Sequence, residues 1–238
     1  MPLQLEKRIR HLSVLLTVVA GFCDTVTFVA ADSLFSAHVT GNFIVFAYDV
    51  VHHADTHAWT KLCSFPVFVV AVAVGRWVGR RHPNRYALLL WEGGLLLMAG
   101  LLVVGLGWQS RHPAALGQVA ALLVVFAMGL QNAFGRLFAK ETYGPTTVMT
   151  GNVTQATLDV VAWLTAPQLT PEAAASLRKQ FLVMGAFLLG CLTGAVAAKL
   201  GGLGVVLGAG VLLLVLALGW HRQARREQES APLQSALN

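Results

Sequence analysis

The chain has 238 residues, of which 56% are apolar and only 12% charged, with a formal net charge of +6. A soluble domain carries roughly 25% charged residues, and a mean hydropathy of +0.65 needs apolar surface along nearly the whole length. These figures exclude a disordered tail, a secreted disulfide scaffold and an ordinary cytosolic enzyme, and point to one domain that spans a membrane several times.

Lys7, Arg8 and Arg10 precede the first apolar run, at 12–31. That run is too long for a signal peptide, is interrupted by Asp24 and is followed by more apolar segments, so it reads as a first span. Five further apolar stretches fall at about 62–80, 87–108, 115–138, 180–200 and 203–220. At 1.5 Å per residue each can cross a hydrocarbon layer about 30 Å thick. Two weaker stretches, about 36–51 and 146–165, carry Ser36, His38, Thr40, Asn42 and Asp49 in the first and Thr146, Thr147, Thr150, Asn152, Gln155 and Asp159 in the second. They are too polar for lipid-facing helices. After Trp220 the composition is charged and Gln-rich, which predicts a disordered cytoplasmic tail over 221–238.

The basic residues choose between two topologies. If the two polar stretches dip in and return, six segments cross, both termini are cytoplasmic, and only Lys61, Arg111 and Lys199 lie outside. If all eight stretches cross, Arg76, Arg80, Arg81 and Arg85 fall on the outside. The excess of Lys and Arg expected on the cytoplasmic face favours six crossings. Trp77, Trp108, Trp163 and Trp220 lie near segment ends and read as interfacial anchors. The positive charge sits at the edges of apolar runs with no basic, aromatic-interleaved stripe, so nucleic acid is not an expected partner. Cys23, Cys63 and Cys191 form no disulfide framework or metal pair.

The two halves of the chain repeat. Gly21 matches Gly129 and Asp24 matches Asn132, both at an offset of 108. Thr40-Gly41-Asn42 matches Thr150-Gly151-Asn152 at 110, as Asp49-Val50-Val51 matches Asp159-Val160-Val161. Gly75 and Gly79 then match Gly190 and Gly194 at 115. A slowly growing offset is what duplication with small insertions leaves behind. The first repeat covers about 12–108 and the second about 115–220, within one transmembrane domain over 1–220. With six crossings each repeat holds three spans, so the second is inserted upside down. Inverted 3+3 repeats with a midplane substrate site are a plan of secondary transporters; eight crossings would make the repeats parallel. The fold class expected is thus all-α and integral to the membrane, with a broken or re-entrant polar helix at each TGN motif.

These paired G-x-x-[DN] and [VM]-T-G-N elements, with the polar-interrupted hydropathy and the length, resemble the YoaK-type family of bacterial membrane proteins over roughly residues 10–220. The resemblance implies a bacterial inner-membrane location and transport of a small molecule. It brings no substrate and no catalytic residues with it.

Within each TGN element Thr and Asn suit helix N-caps, and Gly permits a sharp entry. A helix starting inside the membrane presents backbone N–H groups and a positive dipole end. Thr40, Gly41, Asn42, Thr150, Gly151, Asn152 and Gln155 are therefore the expected substrate-binding residues, for a small polar or anionic solute. The competing role of TGN is to let two helices cross closely. Asn42 and Asp49 share a helix face, as do Asn152 and Asp159. Asp24, two or three residues past the middle of its span and so roughly 4 Å from centre, is the sharpest ionisable candidate, with Asp49 and Asp159 as further proton-coupling groups. Asn132, its repeat mate, cannot titrate. Glu92 is expected nearer a span end, reaching towards headgroups, and a lone His38 reads as structural. His52, His53, Asp55 and His57 suit a metal in type, but their spacing matches no closed site; no metal and no cofactor are expected. Gly75 to Gly79 and Gly190 to Gly194 can pack helices within a monomer or between protomers.

The function expected is a secondary transporter, optionally proton-coupled and optionally homo-oligomeric, with the bilayer and a small solute as partners. An oligomeric channel and an intramembrane enzyme are the alternatives. No HExxH, GxSxG, Walker or paired-Asp motif supports an enzyme.

Overall fold

The fold comes from a computed structural model that describes residues 3–52, 58–106, 110, 112–144, 146–147, 149–165 and 170–235. Trp108, Arg111 and the stretch from His53 to His57 lie outside the described residues. The described residues form eight α-helices and no strand: α1 (Leu3–Ala30), α2 (Gly41–His52), α3 (Ala58–Arg81), α4 (Ala87–Leu106), α5 (Pro113–Leu137), α6 (Met149–Thr165), α7 (Pro171–Gly201) and α8 (Val206–Ser235). The charged stretch after Trp220, where disorder was expected, continues α8 as far as Ser235.

Five helical stretches are long and apolar enough to cross a bilayer: Glu6–Ala30, Ala58–Arg81, Ala87–Leu106, Pro113–Leu137 and Pro171–Arg226. The last, of 56 residues, takes in both α7 and α8. A short 3-10 turn, Gly202–Val205, separates the two, and Gly202 supplies a positive φ of 60°. Along these helices large apolar side chains such as Leu188, Leu192, Val196 and Leu200 of α7 stand exposed. On a chain this apolar, such surface belongs to lipid. By contrast α2, with 12 residues, and α6, with 17, are short; at 1.5 Å per residue they reach only about 18 and 26 Å.

The helices pack in pairs, and glycines set the closest approaches. Gly190 of α7 lies on Val18 and Phe22 of α1, Gly194 lies on Phe22, and Gly21 lies on Phe187 and Cys191. Gly75 of α3 faces Leu130 and Ala133 of α5, Gly79 faces Leu137, and Gly129 returns the contact to Phe68 and Ala71. In both pairs the numbers rise together, so the helices run parallel. Between α4 and α8 they run oppositely: Gly93 meets Leu214, Gly100 meets Leu207, and Gly204 of the turn meets Val104. The repeated Gly75/Gly79 and Gly190/Gly194 pairs therefore join helices within one chain. α2 lies on α3, and α6 lies on α7.

The core is built by α1, α4, α5 and α8, around Leu16, Leu89, Leu96, Met128, Phe134 and Leu213. At one end of the bundle Arg8 and Leu12 of α1, Arg85 and Tyr86 before α4, Glu141 after α5 and Trp220 of α8 surround one small pocket. Arg85 pairs with Glu141, the Tyr86 and Trp220 rings sit 5.9 Å apart, and Asn84 donates to the His221 carbonyl at 2.9 Å.

Candidate polar site where two helix breaks meet

The first break follows α1. Asp32 and Ser33 take positive φ values of 50° and 59° and turn the chain back beside the helix it has just left. The returning segment is then pinned by Asp24. Its Oδ1 accepts from the Ala37 N–H at 2.6 Å and the His38 N–H at 3.3 Å, and its Oδ2 meets His38 Nδ1 at 2.7 Å. Asp24 is 5% exposed, so these three donors satisfy a carboxylate that water scarcely reaches. Because α1 starts earlier than its apolar run, Asp24 stands six residues past the middle of the helical stretch Glu6–Ala30, about 9 Å along the helix.

The first TGN element then starts α2 in a way the sequence did not indicate. Gly41, Asn42 and Phe43 donate their N–H groups to the carbonyls of His38, Val39 and Thr40 at 2.8, 3.2 and 3.3 Å. The expected fan of open backbone donors is thus already closed by a tight turn. Asn42 is fully buried and closes a loop: its Oδ1 accepts from the Phe35 N–H at 2.8 Å. Its Nδ2 donates to the Phe35 carbonyl at 2.8 Å and to Ser64 Oγ of α3 at 2.7 Å. Ser64 in turn donates to the Lys61 carbonyl at 2.6 Å. Thr40 is exposed.

The second break, between α5 and α6, is held by the corresponding residues. Asn132 Nδ2 donates to Thr147 Oγ1, and Gln131 Nε2 donates to Thr146 Oγ1 at 2.6 Å and to the Leu16 carbonyl of α1 at 2.7 Å. The offset of 110 that aligns the TGN elements also pairs Ala37 with Thr147. Asp24 and Asn132 therefore perform one task in the two halves: each fastens the unwound segment ahead of its own TGN. Each unwound segment also rests on the first helix of the other half. The Tyr143 N–H donates to Ser13 Oγ of α1 at 2.9 Å, and Ala31 and Leu34 border Gln118 and Ala121 of α5.

The two breaks touch at His38. Its ring holds Asp24 on one side, comes close to the main chain of Thr147 and stands edge-on to Phe187 of α7 at 5.4 Å. His38 thus joins the first half to the second. Its signal in the sequence was only that it precedes a TGN.

Asp49 and Asp159 lie away from this junction, where each short helix meets its neighbour. Asp49 Oδ2 forms an ion pair with Lys61 Nζ of α3 at 2.6 Å, with both side chains buried. Asp159 accepts from Gln155 Nε2 at 2.8 Å, from Ser176 Oγ at 2.8 Å and from Gln180 Nε2 at 3.4 Å. The offset of 115 carries Lys61 onto Ser176, so the lysine that pairs with the aspartate in one half is replaced by uncharged donors in the other. Lys61 was legible only as a topology signal. Thr150, Gly151 and Gln155 are exposed and Asn152 is half-buried, so the second TGN is the more open of the two.

Glu92 departs from expectation. It does not reach towards headgroups but is fully buried in α4. Among the described residues no three His, Cys, Asp or Glu side chains gather to hold a metal. The chemistry available at the junction is hydrogen bonding and proton exchange at one carboxylate and one imidazole. Comparison with curated proteins and with solved structures gives no match. The resemblance carried by the paired motifs is met by a family model that covers most of the chain: over residues 12–219 the protein belongs to the family described as Protein of unknown function (DUF1275).

Proposed function

We propose that this membrane protein is a secondary transporter of a small polar or anionic solute, built from two inverted repeats of three crossings each. The observation that carries this reading is the meeting of two unwound segments at His38. Irregular backbone among membrane helices is tolerated where it is buried in protein or lines a cavity, and transporters place their sites at such interrupted helices. The parallel α1–α7 and α3–α5 pairs exchange under a twofold that swaps the halves, while the antiparallel α4–α8 pair maps onto itself, as inversion requires. Gathering Arg8, Arg85, Glu141 and Trp220 at one end supports six crossings.

In this reading the solute is held between the two helix starts, by Thr40 and Gly41 on one side and Thr150, Gly151, Asn152 and Gln155 on the other. Asn42 acts through the loop it closes. Asp24 and His38 exchange the coupling proton, and Asp49 and Asp159 tie α2 and α6 to the helices that move. Protonating Asp24 weakens its grip on the Ala37 and His38 amides and so loosens the link between the halves.

A thermal-shift screen of the purified protein identifies a solute, since a ligand of the folded state raises its melting temperature. In proteoliposomes uptake of that solute is expected to saturate and to follow an imposed proton gradient. Asp24→Asn keeps the hydrogen-bonding shape but cannot titrate. It should still be stabilised by the solute while losing uphill accumulation, and His38→Gln should shift the pH profile. Unchanged accumulation by Asp24→Asn removes the proton role, unsaturated currents indicate a channel, and covalent turnover without flux indicates an enzyme.

A further inference from the structure

Glu92 is the sixth residue of α4, a helix whose other residues include no charged group. It is 0% exposed, and neither Oε1 nor Oε2 has a hydrogen-bond partner among the described residues. Among the described residues, the elements packed against α4 bring no cation to its carboxyl group. α1 brings Cys23 within electrostatic reach, with Asp24 beyond it already bound to its own donors. α5 and α8 meet α4 with apolar residues such as Met128 and Leu213, and Arg136 of α5 is exposed. Arg76, Arg80 and Arg81 of α3 are exposed too. An ionised carboxylate in such surroundings has neither water nor a counter-charge to offset its desolvation. The neutral acid is the form that these surroundings accept.

We propose that Glu92 is a buried proton-binding site, separate from the Asp24–His38 pair and occupied by a proton in this arrangement of the helices. The proton sits on one carboxyl oxygen. It leaves to water, with the carboxylate retaining the bonding electrons, only when α4 parts from its neighbours far enough to admit solvent. Carboxyls inside membrane helices are costly and mark proton paths; here the cost is removed by the proton itself. The assignment stands on burial and on the missing partners, and does not require the transport reading.

Infrared spectroscopy of the whole protein in lipid vesicles tests it. At neutral pH the protein should show the C=O stretch of a neutral carboxylic acid, shifting in heavy water, and Glu92→Gln should lose that band entirely. Asp24→Asn should keep it, which separates the two acids. Should Glu92→Gln fail to fold, Glu92→Asp should retain a neutral-acid band at a changed frequency. The proposal is overturned if the protein and its Glu92→Gln variant have the same spectrum in that region, if Glu92→Gln loses a carboxylate band instead, or if Asp24→Asn removes the neutral-acid band. A band that behaves as expected in a protein that moves no solute would retire the transporter and leave the proton site standing.

Discussion

Asn42 and Asn152 occupy the same place in the repeated motif but not in the structure. Asn42 makes three hydrogen bonds and is fully buried, whereas Asn152 is half-buried beside a chain that leaves it open. Asn42→Ala strands the Phe35 N–H and carbonyl and leaves the Ser64 hydroxyl only its bond to the Lys61 carbonyl, and each unsatisfied buried group costs about 1–3 kcal/mol. Thermal melts in detergent should therefore show Asn42→Ala losing several degrees while Asn152→Ala stays near the parent. In solute binding the order should reverse, with Asn152→Ala the weaker binder. Equal melting temperatures for the two would undo the loop-closing role. The repeat was legible because it is written in residue types, but this asymmetry was not. It depends on what meets each motif across space: Ser64 bonds Asn42 in one half, whereas Lys179, its counterpart at an offset of 115, lies 5.0 Å over the Tyr143 ring in the other. Lys61 was hidden for the same reason. A lysine near the start of an apolar run reads as a boundary charge, and only the fold reveals Asp49 beside it.

At the scale of helices the sequence was a good guide to positions and a poor one to faces. Six apolar stretches and two polar ones correspond to eight helices, with α2 and α6 where the polar stretches fall. α4 is apolar all round, so its composition could not say that Glu92 points inward. What the sequence does carry is the spacing of small residues, and the structure gives those residues a use. A Cβ on Gly190 would collide with the Val18 carbonyl, and one on Gly75 would stand 2.6 Å from Ala133 Cβ. Gly185, also in α7, has nothing within 4 Å. Gly190→Ala and Gly75→Ala should thus each destabilise by about 1–3 kcal/mol through overpacking. Gly185→Ala should be neutral or slightly stabilising, since Ala favours a helix over Gly by about 1 kcal/mol. Fluorescence-detected melting of the three variants checks this, and a Gly190→Ala protein as stable as Gly185→Ala would show that the α1–α7 crossing is not the close one described.

For the whole molecule, the proposed threading rests on the end of the bundle that gathers Arg8, Arg85, Glu141 and Trp220. α1 starts there. The α3–α4 connection, the residues after α5 and the latter half of α8 return there, so segments that lie far apart in sequence share one end of the bundle, and in the proposed threading one side of the membrane. An eight-crossing chain would place Arg85 opposite the start of α1 and opposite His221; the pocket that Arg8 shares with Arg85 and the Asn84 bond to the His221 carbonyl support the proposed six. In that proposed arrangement Lys7, Arg8, Arg10, Arg80, Arg81 and Arg85 share that side, which the excess of Lys and Arg expected inside assigns to the cytoplasm. Reporter fusions after Arg85 and after Lys140 should accordingly both read cytoplasmic, and so should one after Arg222. A fusion after Thr165, beyond α6, should share the side of α5's end and read cytoplasmic too, since α6 returns the chain before α7 sets out again. The Arg85 fusion is the decisive one. If it reads external while the start of α1 is cytoplasmic, α2 crosses, the repeats run parallel, and the twofold relating α1–α7 to α3–α5 does not lie in the membrane plane.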